Sequence, residues 1–187
     1  MLTNFIFLTT LASELASLVA VVLSLRFPDR RIWPPSPTRS WGRTLMVSLF
    51  HIAAAGVVLL GLLDWDRFVF PCWLRLMVGQ PVWLLGISLA GWAFITLGVS
   101  ATTGGEVTLV SRGPYRFTRN PQYAGFILAL AGWTLLSNSP LTLVASLVGI
   151  LLLVLVPRAE EPWLREKYGV EYEQYRVKVG RFFPNKR

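Results

Sequence analysis

The sequence predicts an all-α polytopic membrane protein of about five transmembrane helices, the last two a tight hairpin, followed by an amphipathic C-terminal helix in the cytoplasm. Three observations lead there. Of 187 residues, 53% are hydrophobic and only 15% charged, with a mean hydropathy of +0.53; a soluble domain would be about a quarter charged. Five apolar segments recur along the chain. Finally, five crossings would put sixteen of the eighteen Lys and Arg on one side of the membrane, which the positive-inside rule makes the cytoplasm.

The first segment, Leu2–Leu25, has no charged leader region and no clear cleavage site. It reads as a retained span. The loop Phe27–Trp41 carries Pro28, Pro34, Pro35 and Pro37 and should be extended, because proline fixes φ and restricts the residue before it. Thr44–Leu63 and Val82–Ser100 supply two more spans, each near the roughly 20 residues that cross about 30 Å of hydrocarbon. Asp64, Asp66 and the Trp65/Phe68/Phe70/Trp73 cluster between them mark the outer interface. Gly104-Gly105 is a flexible turn, and without a following Lys-Ser/Thr it is a poor phosphate loop. Gln122–Ser137 and Leu141–Val156 are shorter and are joined only by Ser137-Asn138-Ser139-Pro140. In Pro162–Val179, Trp163, Leu164, Tyr168, Tyr172, Tyr175 and Val179 recur at helical spacing. Pro162 suits a first helical position, so Glu160-Glu161 should sit at a break between the last span and this helix.

Counting residue types excludes several functions. Cys72 is the only cysteine and His51 the only histidine, so neither a disulfide framework nor a multi-histidine metal centre is available. The net charge of +8 belongs to membrane-facing loops, and no basic-aromatic nucleic-acid motif is present. The partner is therefore the bilayer, and no metal or nucleic acid is expected.

Two polar strings flank the final hairpin: Ser111 to Tyr123, and Arg158 to Trp163. The hairpin returns the chain to the side it left, so both strings meet one water–lipid boundary. In the first, Arg112, Arg116 and Arg119 alternate with Tyr115, Phe117 and Tyr123 and are braced by Gly113-Pro114 and Asn120-Pro121. Fixed guanidiniums suit carboxylate or phosphate recognition. Asn120 and Pro121 can start the fourth helix as N-cap and first residue. In the second, Glu160 and Glu161 could hold an ammonium, a ribose or a metal. Glu14 and His51 lie inside spans, where ionisable groups are functional candidates; Glu14 could equally pair with another span.

The strings Gly-Pro-Tyr-Arg-Phe-Thr-Arg-Asn-Pro-Gln-Tyr-Ala-Gly, Glu-Glu-Pro-Trp-Leu-Arg-Glu-Lys-Tyr-Gly and Val-Gly-Arg-Phe-Phe-Pro, with the apolar hairpin between the first two, resemble the isoprenylcysteine carboxyl methyltransferase / phospholipid methyltransferase superfamily. The resemblance covers about residues 95–184. The apolar pattern makes 1–187 a single integral membrane domain with three transmembrane helices in 1–100, and the resemblance implies a cofactor-binding methyltransferase core in 101–187. It implies S-adenosylmethionine as cofactor and a lipophilic substrate that enters from the bilayer. By motif position, Tyr115, Arg119, Asn120, Pro121, Tyr123, Gly125, Glu160 and Glu161 are implied to bind the cofactor. Arg119, Asn120 and Glu160 are implied to be catalytic, and Arg112, Tyr172, Tyr175 and Arg176 to bind substrate. Asn120 departs from the histidine usual in the isoprenylcysteine branch. That and Glu-Glu-Pro lean toward a lipid amine, whereas Gly-Pro-Tyr-Arg and the tail lean toward a carboxylate. The competing readings are an NADPH-dependent sterol-type reductase and a non-catalytic membrane scaffold or transporter.

Overall fold

The computed structural model describes residues 1–35, 40–102 and 108–183. Among these residues the chain is helical, with no strand. Helices α1 (Leu2–Arg26), α2 (Ser40–Leu63), α3 (Cys72–Leu97), α4 (Pro121–Ser137) and α5 (Pro140–Lys178) match the five predicted segments. Four of them, all but α4, are long and apolar enough to cross a membrane. With 17 residues α4 is the shortest, and at about 1.5 Å per residue it reaches only about 25 Å. The Gly104-Gly105 turn and the Pro37 end of the first loop lie outside the described residues.

Helix α1 is sustained in an apolar setting by its own hydroxyls. Thr10 donates to the Ile6 carbonyl, Ser17 to Ser13 and Ser24 to Ala20, which satisfies polar side chains where lipid cannot. Thr10, Ser13, Ser17, Ala20 and Val21 form its buried face, while Phe5, Leu8, Leu15 and Val19 are exposed on the other. Such exposed apolar faces, repeated on α2 and α3, are the lipid-facing surface.

Small residues set the α3–α4 contact. A Cβ at Gly86 would lie 2.3 Å from the Ala129 nitrogen, one at Gly125 2.5 Å from the Ala90 nitrogen, and one at Gly132 2.3 Å from the Trp83 nitrogen. The two backbones touch, the packing expected where hydrophobic force between helices is absent. The α4–α5 turn is pinned at the same end as the α2–α3 loop. Asn138 takes a left-handed conformation, donates to Asp66 Oδ1 (2.7 Å) and accepts from the Phe70 amide (3.0 Å). Ser139 caps α5 by accepting from the Thr142 amide and itself donates to Asp64 Oδ2 (2.7 Å).

One expectation is corrected here. Glu160-Glu161-Pro162 is not a break. The helix runs through Pro157 and Pro162, and its non-helical residue is Gly169 (φ 52°, ψ −124°). Tertiary contacts on both sides of Pro162 hold the helical path. Val156 and Ala159 pack with Ala20, Val21 and Trp33, while Leu164 and Tyr168 pack against Tyr172, Tyr175 and Val179. Up to the turn at Gly169, α5 runs helically from Pro140 to Tyr168, about 43 Å at about 1.5 Å per residue, well over the hydrocarbon thickness of about 30 Å. Its uncharged part ends at Pro157, the residue before Arg158. From Pro157 onward it projects beyond the membrane-spanning part and carries the second polar string to the site.

Candidate functional site

Consecutive residues of a helix diverge by about 100°, so Glu160 and Glu161 face different neighbours. Glu160 is turned toward α4 and the first loop. Its Oε1 accepts from the Tyr123 hydroxyl (2.6 Å) and from the Trp33 indole (2.8 Å). Trp33 is carried there because Ser24, on the last turn of α1, accepts from the amides of both Ile32 and Trp33. Burial pushes the Glu160 carboxyl up to about 7, and the hydrogen bonds from Tyr123 and Trp33 keep it from rising further.

Glu161 is buried between two arginines. Arg181 grips it with both arms of the guanidinium, Nε to Oε1 (2.8 Å) and Nη2 to Oε2 (2.7 Å). Arg119 Nη2 lies 3.0 Å from Oε1. Burial opposes ionisation here, but the Arg181 hydrogen bonds and the charges of Arg119 and Arg181 outweigh it. The carboxyl is held below its ordinary value. Glu161 is thus a saturated counter-ion, whereas Glu160 accepts only from neutral donors.

The first polar string approaches from the other side. Gly113–Arg116 makes a turn of 3-10 helix and buries Tyr115, whose carbonyl accepts from the Tyr175 hydroxyl. Asn120 occupies the N-cap of α4 as expected, but its side chain does not cap the helix. It donates instead to the Arg181 carbonyl (3.0 Å), which also accepts from the Thr118 hydroxyl (2.8 Å). The Arg119 side chain is 9% exposed. Its guanidinium lies over the Tyr172 ring at 5.9 Å, and its Nε and Nη1 have no hydrogen-bond partner among the described residues.

These side chains wall a cavity of about 120 Å³. Tyr115, Arg119, Asn120, Tyr123, Glu160 and Glu161 all reach it, and Tyr172 and Tyr175 close one side. Of the predicted residues, Arg112 is exposed and away from the wall. Arg176 pairs with Glu173 on the outer face of α5. Gly125 faces α3 as helix packing, and Pro121 is buried at the start of α4. His51 faces outward, its Nδ1 on the Val47 carbonyl. Glu14 is buried against Gly149, with Oε2 unpartnered among the described residues. Two residues of the site were not singled out in the sequence. Trp33 is 127 positions from its partner, and only its place in a proline-rich loop marks it. Arg181 sits in the Val-Gly-Arg-Phe-Phe-Pro string, which does mark it.

Residues 74–171 match the family model described as phospholipid methyltransferase, more than half of the chain. The chain belongs to the phospholipid methyltransferase family. Its relatives include the probable protein-S-isoprenylcysteine O-methyltransferase of Oryza sativa subsp. indica, 29% identical over 148 residues, 73% of this chain and 76% of that protein. Phosphatidylethanolamine N-methyltransferase B of Dictyostelium discoideum is 29% identical over 114 residues, 57% of each chain. Protein-S-isoprenylcysteine O-methyltransferase of Saccharomyces cerevisiae is 33% identical over 113 residues, 57% of this chain and 45% of that one. No solved structure matches. The matched region of this phospholipid methyltransferase family member spans α4 and the part of α5 that carries both glutamates. The protein is a membrane methyltransferase, and the cavity lies between its two family strings.

Proposed function

We propose that this methyltransferase uses S-adenosylmethionine, bound in the cavity beside Glu160 and Arg119, to methylate a lipophilic acceptor that arrives from the bilayer. Residues 101–187 would form the core that binds the donor. The observation that carries the reading is the pairing of opposite unmet demands in one cavity. Arg119 has two buried nitrogens, Nε and Nη1, without acceptors among the described residues, and there the Glu160 carboxylate is bonded only to neutral donors. A buried donor without a partner costs about 1–3 kcal/mol. An amino-acid moiety, with carboxylate and ammonium together, would satisfy both groups.

The donor supplies a methyl group on a positively charged sulfur, which a nucleophile displaces directly. The residues of the chain bind and orient. Arg119 is the carboxylate partner in preference to the exposed Arg112. Glu160 is the ammonium or ribose partner in preference to Glu161, whose oxygens are already taken by Arg119 and Arg181. Tyr115 stays neutral, since burial, with Tyr175 and Glu160 nearby, raises its phenol above the ordinary value. The faces of Tyr115 and Tyr123 suit an adenine or a sulfonium. Holding the reactants in a near-attack arrangement can supply about 7 kcal/mol or more of the barrier.

The acceptor is an oxygen, as the name protein-S-isoprenylcysteine O-methyltransferase has it, or a nitrogen, as the name phosphatidylethanolamine N-methyltransferase has it; the oxygen acceptor that the motif resemblance implies is a carboxylate. A carboxylate needs no base. An amine must lose a proton, and the Asn120 side chain, committed to the Arg181 carbonyl, is not the base. The cationic end is proposed to face the cytoplasm, with the N-terminus outside. Calorimetric titration of the purified protein with S-adenosylmethionine and with NADPH tests the reading. Binding of the first alone is expected; binding of NADPH, or of neither, overturns it. Incubation with labelled methyl donor and total lipid extract then identifies the acceptor.

A further inference from the structure

Arg181 lies three residues beyond the end of α5 and is 35% exposed, yet residues 180 and 181 are knitted to the site by main chain and side chain together. The Arg119 amide donates to the Gly180 carbonyl (2.9 Å). Thr118 and Asn120 both donate to the Arg181 carbonyl. The Arg181 guanidinium takes both oxygens of Glu161.

A two-pronged contact fixes the plane of a carboxylate as well as its position. With Arg181 holding both oxygens, Glu161 leaves Arg119 only one contact, Nη2 to Oε1. Among the described residues the Nε and Nη1 of Arg119 have no partner. Without Arg181 the carboxylate could turn and take Arg119 by two prongs, the arrangement that an arginine and a carboxylate prefer. The donor groups that now have no partner would be consumed. The charges agree with this. Two guanidiniums against one carboxylate leave a single positive charge, enough for one incoming anion.

We propose that Arg181 is a positioning residue: by fixing Glu161 it keeps the Arg119 guanidinium free for the carboxylate of the methyl donor. This rests on the reading of the cavity given under Proposed function. On this view Thr118 and Asn120 anchor the strap that carries Arg181, and the departure from histidine at 120 costs the site no acid or base.

The test uses two nucleosides on the full-length protein in nanodiscs. S-adenosylhomocysteine carries the amino-acid carboxylate, and 5′-methylthioadenosine lacks it. Arg181→Ala should weaken S-adenosylhomocysteine on the order of tenfold and leave 5′-methylthioadenosine unchanged. Arg181→Lys keeps the charge but not the fork and should fall between. Retained 5′-methylthioadenosine affinity doubles as proof that the variant is folded. Unchanged affinity for both nucleosides, or an equal loss for both, overturns the proposal. If the wild-type protein binds neither nucleoside, the donor reading of the cavity falls and this proposal with it.

Discussion

Glu160 and Glu161 are chemically identical neighbours whose carboxyls are shifted in opposite directions. Arg119 and Arg181 keep Glu161 ionised, and burial among neutral donors brings Glu160 up to about 7. Only ionised Glu160 attracts an ammonium. That form prevails above about pH 7 and is lost below it, while an α-ammonium, with a pKa of about 8, stays charged on the acid side. Donor affinity should therefore fall as the solution is acidified through about pH 7, approaching about tenfold per pH unit well below it. Glu160→Gln should weaken binding at alkaline pH and flatten this dependence. A wild-type affinity that does not change between about pH 6 and about pH 8 would remove Glu160 from the donor site. Sequence reasoning reached both glutamates but could not separate them. The difference comes from Trp33 and Arg181, 127 and 20 positions away, which only the fold brings into contact.

The elements were more legible than their joints. Apolar length and composition located all five helices, because in lipid every backbone group must be satisfied inside the segment. The joint between the last span and the tail was read from Pro162 and lies at Gly169. A proline inside a helix costs about 3 kcal/mol or more, and a local rule stops there. Here packing at Val156 and Ala159 on one side and at Leu164 and Tyr168 on the other keeps the chain helical through it. Gly169 has no neighbour within 4 Å of an added Cβ and a φ of +52°, so the turn is made where a side chain would be strained. The α3–α4 contact carries the prediction that belongs to this scale. Gly125→Leu would drive a side chain into the Ala90 backbone, 2.5 Å from its first carbon. It should separate α4 from α3, displace Tyr123 from Glu160 and abolish activity. Gly91→Ala, on the facing helix α3, meets nothing within 4 Å. It should be neutral or slightly stabilising, by up to about 1 kcal/mol. Thermal unfolding and methyl transfer measured on both variants check this; equal behaviour would refute the packing argument.

For the whole molecule, the described charges sort by end. Arg67 and Arg75, at the α2–α3 end, are each paired with an aspartate, Asp64 and Asp66, so that end is close to neutral. The opposite end holds the cavity, the described part of the first loop and the charged half of α5, and among the described residues it carries the excess of positive charge. The positive-inside rule expects the cationic end in the cytoplasm, the orientation proposed above. Cys72 allows a direct test, since it is exposed, opens α3 at the neutral end, and is the single cysteine of the chain. In intact cells a membrane-impermeant maleimide should label Cys72 from outside. In a Cys72→Ala background, Phe117→Cys, at an exposed position beside the cavity, should react only after permeabilisation. The reverse pattern would turn the protein over and put the cavity outside the cell. There the intracellular methyl donor could not reach Glu160 and Arg119, so the labelling result bears on the reaction as well as on the topology.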